Sequence, residues 1–175
     1  MQPVQAMVAA SLGLLIWAAV CDLRSRRIPN HTVVALAALA LPWHLATGTP
    51  PGTLGVTVLL AALAFAGAAV LWRRGLVGGG DVKFLAATLL LARPGQVPEV
   101  LLTVALAGGL LAAAVLARRT LAAHPFVLLA ASHPRLPAAV ARALTGCSEN
   151  SASVPYGVAI AAGGFVALAG GLSAA

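Results

Sequence analysis

Six apolar runs, at about residues 4–20, 32–45, 53–72, 82–92, 100–117 and 154–172, occupy most of this 175-residue chain, and the segments between them carry nearly all of its charge. A helix needs about 20 apolar residues to cross a hydrocarbon core, so this pattern leaves little choice of architecture. With 61% hydrophobic and 9% charged residues, and a mean hydropathy of +0.98, the chain cannot be arranged as one soluble core with a polar coat. The expected fold is all-α: a polytopic membrane helix bundle of about six transmembrane helices, forming one membrane-embedded domain over residues 1–175. The first run lacks a basic region ahead of it and is followed by further apolar runs, so it reads as a retained helix, not a cleaved signal peptide. Two runs are weaker. The second contains Pro42 and His44, and the fourth stops at Arg93-Pro94-Gly95 after about a dozen residues, short enough to require shelter from its neighbours. Small residues, among them Gly108, Gly109, Gly163, Gly164, Gly170 and Gly171, allow close helix approach.

Positive charge orders the topology, because Lys and Arg in short loops are retained on the cytoplasmic side. Arg24, Arg26 and Arg27 follow the first run, Arg73, Arg74 and Lys83 surround the turn between the third and fourth, and Arg118, Arg119, Arg135 and Arg142 lie between the fifth and sixth. Only Arg93 falls on the other side. The amino terminus and the loops near Pro50 and Gly95 are therefore expected outside, and the three basic loops inside. The formal charge of +7 is spread over loops at a membrane face instead of along one groove, which fits anionic lipid and topology and does not call for nucleic acid.

The chain's only two aspartates, Asp22 and Asp81, stand where apolar runs meet these basic clusters, on the same expected face. An ionisable side chain at a hydrocarbon boundary is costly and by default functional. Two carboxylates converging on one water cannot both ionise readily, so their titrations split and one keeps a proton. Such a pair supplies a base to take a proton from water and an acid to polarise a peptide carbonyl. Plainer readings exist for each residue alone: Asp81 as a helix N-cap, Asp22 as a counter-charge to the neighbouring arginines. Their occurrence as a pair on one face favours catalysis. Which of them holds the proton stays open here, since the arginines favour ionisation and burial opposes it.

The sequences around the aspartates have their own physical meaning. The residue before a proline is pushed away from helical angles, so Ile28-Pro29 ends the first helix, and Asn30 is placed to cap the next. Gly78, Gly79 and Gly80 permit backbone angles closed to other residues and let a second segment, such as a substrate strand, come close. Asp22-Leu23-Arg24-Ser25-Arg26-Arg27-Ile28-Pro29-Asn30 resembles the first aspartate motif of the type IV prepilin peptidases. Gly78-Gly79-Gly80-Asp81-Val82-Lys83 resembles their Gly-x-Gly-Asp signature, shared by a class of intramembrane aspartyl proteases. Val154-Pro155-Tyr156-Gly157-Val158-Ala159-Ile160 is similar to the segment that opens their last helix. The three motifs fall in the family's order and cover nearly the whole chain.

That resemblance implies an aspartyl endopeptidase of a prokaryotic cytoplasmic membrane, active site toward the cytoplasm, with Asp22 and Asp81 catalytic and no metal or organic cofactor. Its substrates would be prepilins or pseudopilins, cut after a glycine just ahead of their apolar helix, with pilus or secretion components as further partners. Many family members carry an added cytoplasmic segment with paired cysteines and also methylate the new amino terminus. This chain has no room for that segment and resembles the short, peptidase-only members of Flp or Tad pili. Supporting roles fall to Gly78, Gly80, Pro29, Asn30, Lys83 and Tyr156. Lys83 would hold a substrate carboxylate or tune the pair, with topology-setting charge as its plainer reading, and Tyr156 could equally be an interfacial aromatic.

The remaining polar residues carry less. His31, His44, His124 and His133 have no metal-ligand spacing. Cys21 and Cys147 both map to the cytoplasmic side, where no disulfide is expected. The connection from Arg118 to Ser153 holds an apolar stretch, Phe126 to Ala131, too short to span, and places Leu136, Val140 and Leu144 at helical spacing, an amphipathic piece for the membrane surface. Two alternatives keep the same residues. One is a presenilin-like protease cutting within spanning helices, which the Asp22 to Asn30 motif disfavours. The other is a scaffold or small-solute transporter, disfavoured because both aspartates sit on one side and not at mid-membrane.

Overall fold

The computed structural model describes residues 2–122 and 154–173. The expectations for residues 123–153, including the amphipathic piece and Cys147, lie outside the described residues. Among the described residues there are six α-helices: α1 (Gln2–Ser25), α2 (Asn30–Ala46), α3 (Pro51–Arg73), α4 (Gly79–Leu89), α5 (Val97–Ala122), entered through a 3-10 turn at Pro94–Gln96, and α6 (Tyr156–Ser173). No strand occurs among the described residues. The chain divides into two compact units, residues 1–108 with 155–175, and residues 109–154. In the second, the described part is the C-terminal half of α5, whose side chains are mostly exposed.

Three spans, Val4–Ser25, Pro51–Arg73 and Pro94–Thr120, are long and apolar enough to cross a membrane. Their surfaces show why the molecule is a membrane helix bundle: Ile16 is 62% exposed, Leu63 59% and Leu106 65%. An apolar surface of that extent has no place in water. Among lipid-facing helices the drive for association is close packing and hydrogen bonding, because lipid tails are as apolar as leucine.

In the first unit α4 is the hub. It packs against α2, α3 and α6, while α1 packs against α2 and α6. Val82, Phe84, Ala87, Thr88 and Leu89 of α4 are buried, so nearly its whole circumference is covered. The expectation of a short, sheltered fourth helix therefore holds, with α4 only 11 residues long. That is a rise of about 16 Å, roughly half of a hydrocarbon core of about 30 Å. On α1 the buried side chains are Ser11, Leu15, Ala18 and Asp22, spaced four, three and four residues apart, which is one face of a helix. Asp22 points into the bundle because it continues the stripe that Leu15 and Ala18 bury.

α6 packs closely through its glycines. A Cβ on Gly164 would lie 2.7 Å from Leu15 and 3.1 Å from Thr88, and one on Gly163 would lie 2.6 Å from Val104. Side chains there would push α1, α4 and the start of α5 apart. Gly109, by contrast, has nothing within 4 Å among the described residues.

The helix ends set where the aspartates stand. α2 and α3 close with paired backbone bonds, Gly48 N–H to Leu45 O and Thr49 N–H to His44 O, then Gly75 N–H to Trp72 O and Leu76 N–H to Leu71 O. This termination needs a left-handed residue, and Gly48 (φ 65°) and Gly75 (φ 73°) provide it. α1 ends differently. Arg26 donates its N–H to Asp22 O at 3.0 Å and takes the left-handed conformation at φ 54°, a strain of about 1–2 kcal/mol for a residue with a Cβ. α2 does not begin as expected: its N-cap is Pro29, not Asn30, and no side chain caps it. Pro42 sits inside α2, which continues through it to Ala46.

Candidate active site

Asp22 belongs to the last turn of α1 and is 6% exposed. Its Oδ2 accepts a 2.8 Å hydrogen bond from the backbone N–H of Gly157, the second residue of α6. That amide is among those a helix leaves without an internal partner, and it lies at the positive end of the helix dipole. Contact is so close that a Cβ on Gly157 would lie 2.9 Å from both Cβ and Oδ2 of Asp22. Only glycine lets the α6 backbone reach this carboxylate.

Asp81 is the third residue of α4, and the N-cap is Gly78. The carboxylate folds back to the Gly78 backbone N–H, satisfying a donor that the helix start leaves free, as a glutamate does in a capping box. The simple N-cap reading of Asp81 is thus replaced by a reach-back from inside the first turn. Asp81 lies ahead of the apolar part of α4, and its pKa is pushed up from 3.8 to about 6, first by burial, then by the negative charge of Asp22, against the lowering effect of Gly78.

Of the three glycines before Asp81, Gly78 and Gly79 are explained by close contact and not by unusual backbone angles, whereas Gly80 has only ordinary contact. Gly78 has φ −71°, and the positive-φ glycines are Gly48 and Gly75. A Cβ on Gly78 would come 2.8 Å from Asp81 Oδ2, one on Gly79 3.0 Å from the Trp72 indole nitrogen, and one on Gly80 3.6 Å from Ile28. The segment is pinched between the end of α3 and the Ile28-Pro29 turn, and that turn brings the first motif against the second.

Asp22 and Asp81 line one open cleft of about 320 Å³ with Asn30, Gly78, Gly80 and Lys83, together with Arg26, Arg27, Ile28 and Gly79. The two helices that carry the aspartates are joined through α2 and α6, which pack against both. Lys83 is exposed and its Nζ donates to Asn30 Oδ1 at 3.4 Å, linking α4 to the start of α2. Asn30, the expected cap, thus turns its side chain to Lys83 instead. Two expected residues are not on the cleft: Pro29 caps α2, and the Tyr156 ring lies near Gly108, 3.4 Å from where that residue's Cβ would be. Gly157 is what the sequence reading missed. It stood in a motif already noted, but a main-chain donor has no residue type to give it away, and the tyrosine beside it drew the role. Among the described residues no three His, Cys, Asp or Glu side chains gather as metal ligands.

The model of the type IV leader peptidase family matches residues 9–113, more than half of the chain. This chain belongs to the type IV leader peptidase family. It is accordingly a peptidase, and its apolar helices make it a membrane protein. The family match covers both aspartates and stops short of Gly157, so the α6 contribution rests on the geometry of this molecule. No curated protein and no solved structure matches the chain.

Proposed function

We propose that this peptidase removes the leader of Flp-type prepilins by two-aspartate hydrolysis at the cytoplasmic face of a prokaryotic cytoplasmic membrane, as one membrane-embedded domain and without methylating the product. The observation that carries this reading is the convergence of the chain's only two aspartates on one cleft, with the charge of Asp22 acting on Asp81. The family supports a leader peptide as substrate, and the basic loops support the cytoplasmic orientation.

Roles follow from the surroundings. In this reading Asp22, which accepts the Gly157 N–H and shares the cleft with Arg26, is the ionised partner, and Asp81, buried beside that negative charge, holds the shared proton. Asp22 takes a proton from water as the water oxygen bonds to the peptide carbonyl carbon, and Asp81 gives its proton to the carbonyl oxygen, forming a neutral geminal diol. The C–N bond then breaks. Asp22 passes its proton to the departing amine nitrogen, and Asp81 recovers one from a diol hydroxyl, restoring the starting charges. Gly157 N–H holds Oδ2 of the base throughout, leaving its orientation fixed by α6. Gly78, Gly79 and Gly80 give an extended substrate a low wall to lie against, and Lys83 serves through Asn30 to hold the rim.

The test is cleavage of a co-expressed Flp-type prepilin, read by gel shift at matched membrane levels. Asp22→Asn and Asp81→Asn should each reduce the rate by about a hundredfold to ten-thousandfold, the usual scale of acid or base catalysis. Retained cleavage in either variant sinks the two-aspartate mechanism, and mass spectrometry of the product's amino terminus checks the absence of a methyl group.

A further inference from the structure

α4 ends at Leu89, about halfway through the hydrocarbon thickness that a full span would cross, and the turn that follows it, Leu90 to Ala92, holds carbonyls that lie outside the helix. In lipid such groups must be satisfied by protein. Here three successive carbonyls meet three side chains from two other helices: His44 Nε2 donates to Leu90 O at 2.9 Å, Trp43 Nε1 to Leu91 O at 3.1 Å, and the Thr57 hydroxyl lies 3.4 Å from Ala92 O, its one proton shared with Thr53 O at 3.3 Å in its own helix. Trp43 and His44 are each 1% exposed and Thr57 is fully buried. The imidazole is held from behind, its Nδ1 3.1 Å from Thr49 Oγ1, and Thr49 returns its N–H to His44 O at 2.9 Å. Arg93 reaches the same turn, donating from Nη2 to Thr47 O at 3.1 Å.

We infer that Trp43, His44 and Thr57 are positioning residues for Asp81. Nine residues, about 14 Å of helix, separate Asp81 from Leu90. An 11-residue helix carries few turns with which to hold its own height, and a rigid rod displaced at one end is displaced at the other. The directional bonds from His44 and Trp43 to consecutive carbonyls, with the shared Thr57 contact beside them, fix both the depth of α4 and its rotation. At the far end, the same depth decides whether Asp81 faces Asp22 and whether Lys83 meets Asn30. This assignment rests on the two-aspartate reading of the cleft, and its test has an arm that does not use activity.

Reconstituted native protein and the variants His44→Leu, Trp43→Phe and Thr57→Val would be compared for kcat and KM on a Flp-type prepilin, per folded molecule by size-exclusion chromatography. In parallel, Asn30→Cys with Lys83→Cys, in a background with Cys21 and Cys147 replaced by serine, reports the height of α4 through capture by a short bifunctional thiol reagent. Loss of a cap donor should lower kcat by about tenfold or more, since small misplacement of a reacting group is costly, and should raise KM as well, because Lys83 at the cleft rim moves with α4. Cross-linking should fall in step, and His44→Gln, which restores a donor of similar reach, should recover both readouts. Unchanged kcat and unchanged cross-linking in folded variants would overturn the inference. Thr57→Val, which removes the longest of the three bonds at constant shape, serves if the other variants do not fold. Should the native protein leave the prepilin uncut, the functional reading falls, and cross-linking that ignores the cap variants would still refute the positioning role separately.

Discussion

A single backbone amide decides how Asp22 is presented. Gly157→Ala adds a carbon 2.9 Å from Oδ2, which must push the carboxylate or α6 aside. Cleavage should fall by about tenfold to a hundredfold, although alanine is the better helix former, and the check is a rate at equal amounts of folded protein. Asp81 gives a pH prediction. Its pKa of about 6 in the folded state makes the shared proton scarce above that pH, so kcat/KM should decline as pH rises through about 6. The folded protein also binds this proton more tightly than the unfolded chain does. The residue's contribution to stability is therefore most favourable below 3.8, is lost between 3.8 and about 6, and is constant above. Asp22→Asn removes the repelling charge and should lower the Asp81 pKa, read by the pH dependence of carbodiimide labelling. A label profile identical to that of the native protein would show that the two carboxylates do not interact.

At the scale of elements, the glycines of α6 are not equivalent to those of the lipid-facing helices. Gly164→Ala overpacks a contact with Leu15 and Thr88 and should cost about 1–3 kcal/mol. Gly67→Ala on α3 has open space around it and should stabilise by up to about 1 kcal/mol, so the two variants should shift thermal unfolding in detergent in opposite directions. Sequence alone shows six apolar runs and the short fourth helix, because both follow from hydrophobic length. It also shows most of the cleft, because Asp22, Asp81, Asn30 and Lys83 carry distinctive side chains and the glycines at 78 and 80 stand out by lacking one. The use of Asn30 toward Lys83 in place of a cap was hidden, since the choice between two partners for one amide side chain depends on where α4 comes to rest. His44 counts as a weakness in the second run, beside Pro42, for a similar reason: a polar atom among apolar residues counts against a helix until the carbonyl it serves is known.

For the whole molecule, the distribution of Lys and Arg predicts orientation. In a cysteine-free background, Gly95→Cys should react with an impermeant thiol reagent added to intact cells, and Arg74→Cys should react only after the membrane is opened. The reverse pattern would put the cleft on the outer face. One further property follows from the outer surface of α1. Asp22 is 6% exposed and its neighbour Leu23 is 55% exposed, so the carboxylate proposed to react is one residue from the amphiphile that surrounds the protein. For a substrate held in the same lipid, the concentration that governs encounter is two-dimensional. Adding empty detergent micelles or lipid vesicles should dilute the reaction at fixed bulk concentrations of both proteins, and a Michaelis constant for this molecule is meaningful as a mole fraction in the amphiphile.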